Sequence, residues 1–189
     1  MRLSRHDSSP YKNQNNHSTI AMIHVCSLAR LYDTVQDTGS RHVVTLLKTT
    51  DRVVWPERLV PPNHLILGMD DICEPMDGYI IPCDDHVSRL IDFVRGWDRR
   101  SPLVVHCFAG ISRSTAGAYV AACALNPARD EWAIARDIRR LSATATPNIR
   151  IVSLADRLLG RDGRMVAAID SIGRGEIAYE GVPFRLDLA

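Results

Sequence analysis

The chain has 189 residues, with 23 Lys and Arg against 22 Asp and Glu, a formal net charge of +1. At 46% apolar and 24% charged residues it has the composition of one globular domain with a sizeable core, and its balanced charge excludes bulk electrostatic attraction to nucleic acid or a membrane surface. No apolar stretch approaches a membrane span and no signal-peptide pattern is present, while five Cys with no C-x-x-C pair argue for a reduced, cytoplasmic protein without a zinc site.

Residues Met1 to Thr19 are polar and aperiodic, with Asn13, Gln14, Asn15 and Asn16 in a row, and read as a disordered leader. Ile20 to Leu28 reads as a first strand. Ala29 to Thr38 has helical character and stops at Gly39, a helix C-terminal signal. His42 to Leu47 is a second strand, too continuously apolar for a sheet with one wet face, so strand, helix and strand suggest a parallel βαβ unit. Lys48 to Asn63 is loop, carrying Trp55-Pro56-Glu57. His64 to Met69 is a third strand and runs into the acidic turn Asp70-Asp71-Ile72-Cys73-Glu74-Pro75.

Pro82 to Asp98 reads as a helix, with Val87, Leu90, Ile91 and Val94 spaced to form one apolar face. Leu103 to Val105 is a short buried strand. It delivers His106-Cys107-Phe108-Ala109-Gly110-Ile111-Ser112-Arg113-Ser114, and Thr115 to Leu125 follows as an Ala-rich helix. Pro127 and Asp130 open another helix, with Trp132, Ala135, Ile138 and Leu141 as its buried face. Thr146-Pro147-Asn148 opens a further one, with Ile151, Leu154, Ala155 and Leu158 as its face and Gly160 at its end. Asp162 to Gly173 is a last helix, and Gly175 to Ala189 a tail whose Val182-Pro183-Phe184 could dock on the body. The expected domains are a leader at 1–19, a main domain at 20–160, and a C-terminal helix and tail at 161–189. The expected fold is α/β, a central and mostly parallel sheet flanked by helices, with extra helices at the C-terminal end.

The chemistry concentrates at Cys107. A strand feeding a small-residue loop at a helix N-terminus is an anion site, where loop amides and the helix dipole favour negative charge. A thiol of ordinary pKa about 8.5 falls to roughly 3.5–7.5 at helix N-termini with cationic neighbours, which makes it a thiolate nucleophile. Arg113 offers a planar fork for two phosphate oxygens, Gly110 lets the loop turn its amides inward, and Ser114 is placed to donate to the Cys sulfur.

His106-Cys107, five residues, Arg113 and Ser114 resemble the signature loop of the cysteine-dependent protein tyrosine phosphatase superfamily. With Gly110, Ser112 and Ser114, they most resemble its dual-specificity branch. The resemblance covers roughly residues 20 to 160. It implies a phosphotyrosine-phosphatase-like fold and hydrolysis of phosphomonoesters through a cysteinyl-phosphate, with Cys107 as nucleophile and no metal or cofactor. Phe108, Ala109, Gly110, Ile111, Ser112 and Arg113 would bind the phosphate, and His106 would support Cys107 through a hydrogen bond to loop backbone. The family places an acidic residue after the preceding strand, which selects Asp71 as general acid, with Asp70 as the neighbouring alternative. Glu57 lies too far before Cys107 for the Trp-Pro-Asp loop of the family. Asn148 either buttresses the signature loop or simply starts its helix.

The implied substrate is a phosphorylated protein or a small phosphomonoester, with no nucleic acid or membrane partner. The signature loop adds no Lys of the kind found in phosphatases for multiply phosphorylated inositides, and no basic stripe with aromatics suits RNA. Two alternatives stand beside hydrolysis: a catalytically weak phosphate-binding module, and a rhodanese-like or arsenate-reducing Cys-loop protein. Cys73 and Cys26 are candidate partners for an oxidised Cys107, given that a disulfide needs Cα atoms within about 7 Å.

Overall fold

A computed structural model describes residues 22–188. The leader expected at 1–19 and the first two positions of the expected first strand lie outside the described residues, as does Ala189. The chain alternates β1 (Met22–Ser27), α1 (Leu31–Thr38), β2 (His42–Leu47), a 3-10 turn (Glu57–Leu59), β3 (Asn63–Gly68), α2 (Asp84–Arg95), β4 (Leu103–Cys107) and α3 (Arg113–Leu125). It continues through α4 (Glu131–Leu141), α5 (Ile149–Leu158) and α6 (Arg164–Ile172) to β5 (Phe184–Asp187).

Five strands form one sheet in the order β3-β2-β4-β1-β5. The first four are parallel, and β5 runs antiparallel along β1 with Ile23 opposite Leu186 and Val25 opposite Phe184. The fold is α/β with a mostly parallel sheet, as the apolar runs in β2 and β4 require: strands covered on both faces need no polar alternation. β4 is the middle strand, so Cys107 ends the best-protected element of the sheet, with Leu46 and Ser27 as its register partners.

Side chains alternate across the sheet. Cys26, Val43 and Val104 point to one face, where Leu31 and Val35 of α1 cover them. Val25, Val44 and Val105 point to the other, against α2 and α3. α3 is buried on every side, which suits its Ala-rich composition, and a Cβ on Gly117 would meet Leu46 Cδ1 at 2.8 Å. α4 and α5 pack against α3, and α6 packs against α4 and α5. Among the described residues no helix is long and apolar enough to cross a membrane.

Several expectations change in detail. α2 is shorter than 82–98 because Cys83 and His86 cap its start reciprocally and Gly96 ends it. On α5, Leu158 is exposed and Val152 takes the buried place, the helix having rotated its face to meet α3. On α4, Ile134 joins Ala135 and Ile138 in the core, while Trp132 and Leu141 are only partly covered. The segment 175–189 is not a tail: Phe184–Asp187 is the fifth strand, with Phe184 and Leu186 buried and Arg185 and Asp187 exposed.

Candidate active site

The loop from Cys107 to Arg113 links β4 to α3, and its carbonyls are taken up from outside. Leu28 N donates to Phe108 O at 3.1 Å, Gly181 N to Ala109 O at 2.8 Å, Thr146 N to Ile111 O at 3.0 Å and Asn148 N to Ser112 O at 3.3 Å. In a trans peptide the carbonyl and the next amide point opposite ways. The amides of Ala109, Gly110, Ser112 and Arg113 therefore turn inward, and Gly110 N does donate to Cys107 Sγ at 3.3 Å. Gly110 has φ +74°, and a Cβ there would stand 2.8 Å from Ser27 N, so only glycine fits. Ser114 Oγ lies 3.1 Å from Cys107 Sγ on the first turn of α3.

Arg113 is buried at the start of the same helix. Its Nη1 donates to Met69 O at 2.8 Å, which ties the guanidinium to the end of β3. Its buried Nε has no hydrogen-bond partner and lies 3.9 Å from Asp71 Oδ2. A buried donor without a partner costs roughly 1–3 kcal/mol. An oxyanion held along the Nε edge would remove that cost.

Asp71 comes to this site on the β3–α2 loop. Its Oδ1 accepts from Ser112 Oγ and from Asn148 Nδ2, both at 2.8 Å. Asp70, the alternative, turns elsewhere: its Oδ2 accepts from Ile80 N at 2.8 Å, closing its own loop. Glu57 is exposed on the 3-10 turn, and the neighbouring Trp55 packs edge-on against Tyr32 and His64. Asn148 joins the two roles weighed for it. Its Oδ1 caps α5 through Arg150 N and Ile151 N, its backbone amide holds Ser112, and its Nδ2 holds Asp71.

His106 makes a contact that sequence reading did not suggest: its Nε2 pairs with Thr45 Oγ1 of β2 at 2.7 Å, while the Cys107 backbone acts on the ring and Nδ1 makes no well-formed hydrogen bond. Thr45 Oγ1 also meets His64 Nε2 at 2.7 Å, and Trp55 Nε1 donates to His64 Nδ1 at 3.2 Å. The indole can only donate, so His64 carries its proton on Nε2, Thr45 passes its own to His106 Nε2, and His106 is left protonated on Nδ1. Burial holds His106 down to about 3, against a smaller opposing pull from the Cys107 backbone, so the imidazole is neutral. A lone Thr in the apolar run of β2 is the sequence signal for this chain of bonds.

Of the thiols, Cys26 neighbours the Cys107 register but points to the α1 face, the opposite side of the sheet, and burial pushes it up to about 12. It is not placed to bridge Cys107. Cys73 Sγ lies 3.8 Å from Asn148 Oδ1. Among the described residues no group of three His, Cys, Asp or Glu is placed to hold a metal ion.

Sequence reading missed the segment 173–183. It crosses beside the loop: Gly181 N holds Ala109, and Glu180 accepts from Ser27 Oγ at 2.5 Å. Phe108 stands exposed at the mouth, 62% accessible, beside Lys48, Asp51, Asp70 and Arg113.

No family model matches the chain, and no curated protein does. Solved structures do. The crystal structure of DUSP15 aligns with a TM-score of 0.52 at 18% identity, over 79% of this chain and 89% of that one. The PTP-2 phosphatase of Cydia pomonella aligns with a TM-score of 0.53 at 20% identity, over 71% and 84%. At these identities the likeness is one of fold, and the fold is that of the dual-specificity phosphatases.

Proposed function

Starting from that fold, we propose that the chain hydrolyses phosphomonoesters through a cysteinyl-phosphate, as a protein tyrosine or dual-specificity phosphatase. The observation that carries this reading is the unpartnered Arg113 Nε, buried on the loop of Cys107 and facing Asp71 at 3.9 Å. A phosphoryl group there would be gripped by the Nε edge of the guanidinium and by the inward amides. These donors are fixed before charge develops, and in that arrangement they stabilise it most.

In the first step Cys107 Sγ forms a bond to phosphorus as the bond to the leaving oxygen breaks. Asp71 gives that oxygen its proton. Both donors to Asp71 bind Oδ1, so the transferable proton belongs on Oδ2, the oxygen turned to Arg113. In the second step the Asp71 carboxylate takes a proton from water, the water oxygen bonds to phosphorus, and the sulfur leaves as thiolate. The Ser114 hydroxyl, 3.1 Å away, stabilises the departing sulfur.

Turnover of p-nitrophenyl phosphate, measured beside arsenate and thiosulfate, tests the reading. The expected result is phosphatase activity alone, falling more than about a thousandfold in Cys107→Ser. Activity within about tenfold of wild type in that variant removes Cys107 as the nucleophile. Arsenate reduction or sulfur transfer in place of hydrolysis replaces the reading, and phosphate binding without turnover makes the chain a binding module.

A further inference from the structure

Seven of the eleven large apolar side chains exposed among the described residues belong to three segments around Cys107. Met76, Tyr79 and Ile80 are on the β3–α2 loop, Phe108 is on the Cys107–Arg113 loop, and Ile177, Tyr179 and Val182 are on the 173–183 segment. Exposed apolar side chains scattered singly carry no message, but their concentration on the segments that border one site marks an interaction surface. Ile177 and Tyr179 are 98% and 103% accessible. The frame beneath them is pinned on both sides, by Gly175 N to Thr146 Oγ1 at 3.1 Å and Glu176 N to Ala143 O at 3.0 Å, then by Gly181 N to Ala109 O. The segment thus presents them on fixed backbone. A cleft of about 440 Å³ is lined by Asp71, the proposed acid, and by Ser112, Arg174 and Ile177.

The charge of this rim selects among macromolecules. The β3–α2 loop carries Asp70, Asp71, Glu74 and Asp77 and no Lys or Arg. The 173–183 segment adds exposed Glu176 against Arg174. Lys48 and Asp51 beside Phe108 offset one another, so the rim outside the Arg113 pocket stays net acidic, which weighs against an anionic lipid surface and against nucleic acid. It suits apolar and cationic neighbours. Fields of exposed charges fade over about 8 Å at physiological salt. An extended peptide rises about 3.3 Å per residue, so the rim reads only the two or three residues on each side of the phosphoresidue.

We propose that this rim is the docking surface for a phosphopeptide segment whose residues beside the phosphoresidue are apolar and basic. The proposal rests on the phosphatase reading and names the substrate of that site.

Three phosphotyrosine peptides of equal length test it, flanked by Leu and Lys, by Leu and Glu, or by Ser and Lys, with p-nitrophenyl phosphate as the small control. The Leu–Lys peptide should have the highest kcat/KM. Ile177→Ser with Tyr179→Ser changes only fully exposed positions. It should lower that value roughly tenfold, the effect of one good anchor, and leave turnover of the small control unchanged. Glu74→Gln with Asp77→Asn should erase the preference for Lys over Glu. Equal kcat/KM for all three peptides, an unchanged Leu–Lys value in the Ile177 and Tyr179 variant, or preference for a phosphoinositide in anionic vesicles overturns the proposal. If wild type turns over neither control nor peptides, the hydrolase reading fails by itself. Calorimetric titration of the same peptides then decides the rim: tighter binding of the Leu–Lys peptide upholds it, and equal affinities overturn it.

Discussion

At the scale of the residue, the geometry separates Asp71 from Asp70, which one sequence leaves close in rank, and keeps Glu57 apart from both. Asp71 keeps Oδ2 clear of hydrogen bonds and turned to Arg113, whereas Asp70 spends its Oδ2 on Ile80 and Glu57 stands on a distant turn. Asp71→Asn should therefore lower kcat by orders of magnitude, with Asp70→Asn and Glu57→Gln mild, in steady-state assays on an aryl phosphate. A larger loss at Asp70 would move the acid by one position. His106 gives a second expectation. Its folded pKa, about 3, lies below the ordinary histidine value of about 6.5. Between these values the unfolded chain binds the proton and the folded chain does not. Its contribution to stability is thus full above about pH 6.5 and is lost as pH falls towards 3. Denaturation midpoints across that window should fall less steeply with acid in His106→Gln than in wild type.

At the scale of the element, Asn148 works in two places at once, and the two uses can be separated. As cap of α5 it offers Oδ1 to Arg150 and Ile151, and through Nδ2 it steadies Asp71. Asn148→Ala should cost about 1 kcal/mol of stability, the usual loss for a helix cap, and should slow turnover as well. Asn148→Asp keeps a capping acceptor but loses the donor to Asp71. Thermal melting should then stay near wild type while kcat falls; parallel losses in both variants would mean that Asn148 acts through stability alone. Much of the architecture was legible from the chain because periodicity reports burial directly. The apolar run of β2 announced a sheet covered on both faces, and the Val87–Val94 spacing announced the buried side of α2. The choice between Asp70 and Asp71 was not legible, because adjacent residues diverge only when a partner such as Ile80 claims one of them. Thr45 marks itself as a lone polar residue in β2, but its partner His106 was hidden for the same reason: the contact joins different strands, and strand order is a tertiary fact.

At the scale of the whole molecule, a buried ion pair ties the outer helices together. Glu131 at the start of α4 accepts from Arg161 Nη1 at 2.8 Å, and the same guanidinium donates to Cys123 O and Pro127 O. Both side chains are almost wholly enclosed. Glu131→Ala would leave Arg161 buried beside no opposite charge except through rearrangement, and should cost about 3–5 kcal/mol in denaturant titration. A loss below about 1 kcal/mol would mean that the pair is hydrated in solution. β5 was the element least legible from sequence. Four residues after a Pro, with charges at alternate positions, gain strand geometry only from the edge of β1. The consequence reaches into biosynthesis. β1 is made early and its outer neighbour after every other element of the domain. Until residues 184–187 follow, β1 keeps a row of unpaired amides and carbonyls, open to wrong partners. Until Gly181 follows, Ala109 O is without the backbone amide that holds it among the described residues. A nascent chain can thus pair its four parallel strands and hold three of the four loop carbonyls from outside while the last tie on the Cys107–Arg113 loop is still to be synthesised.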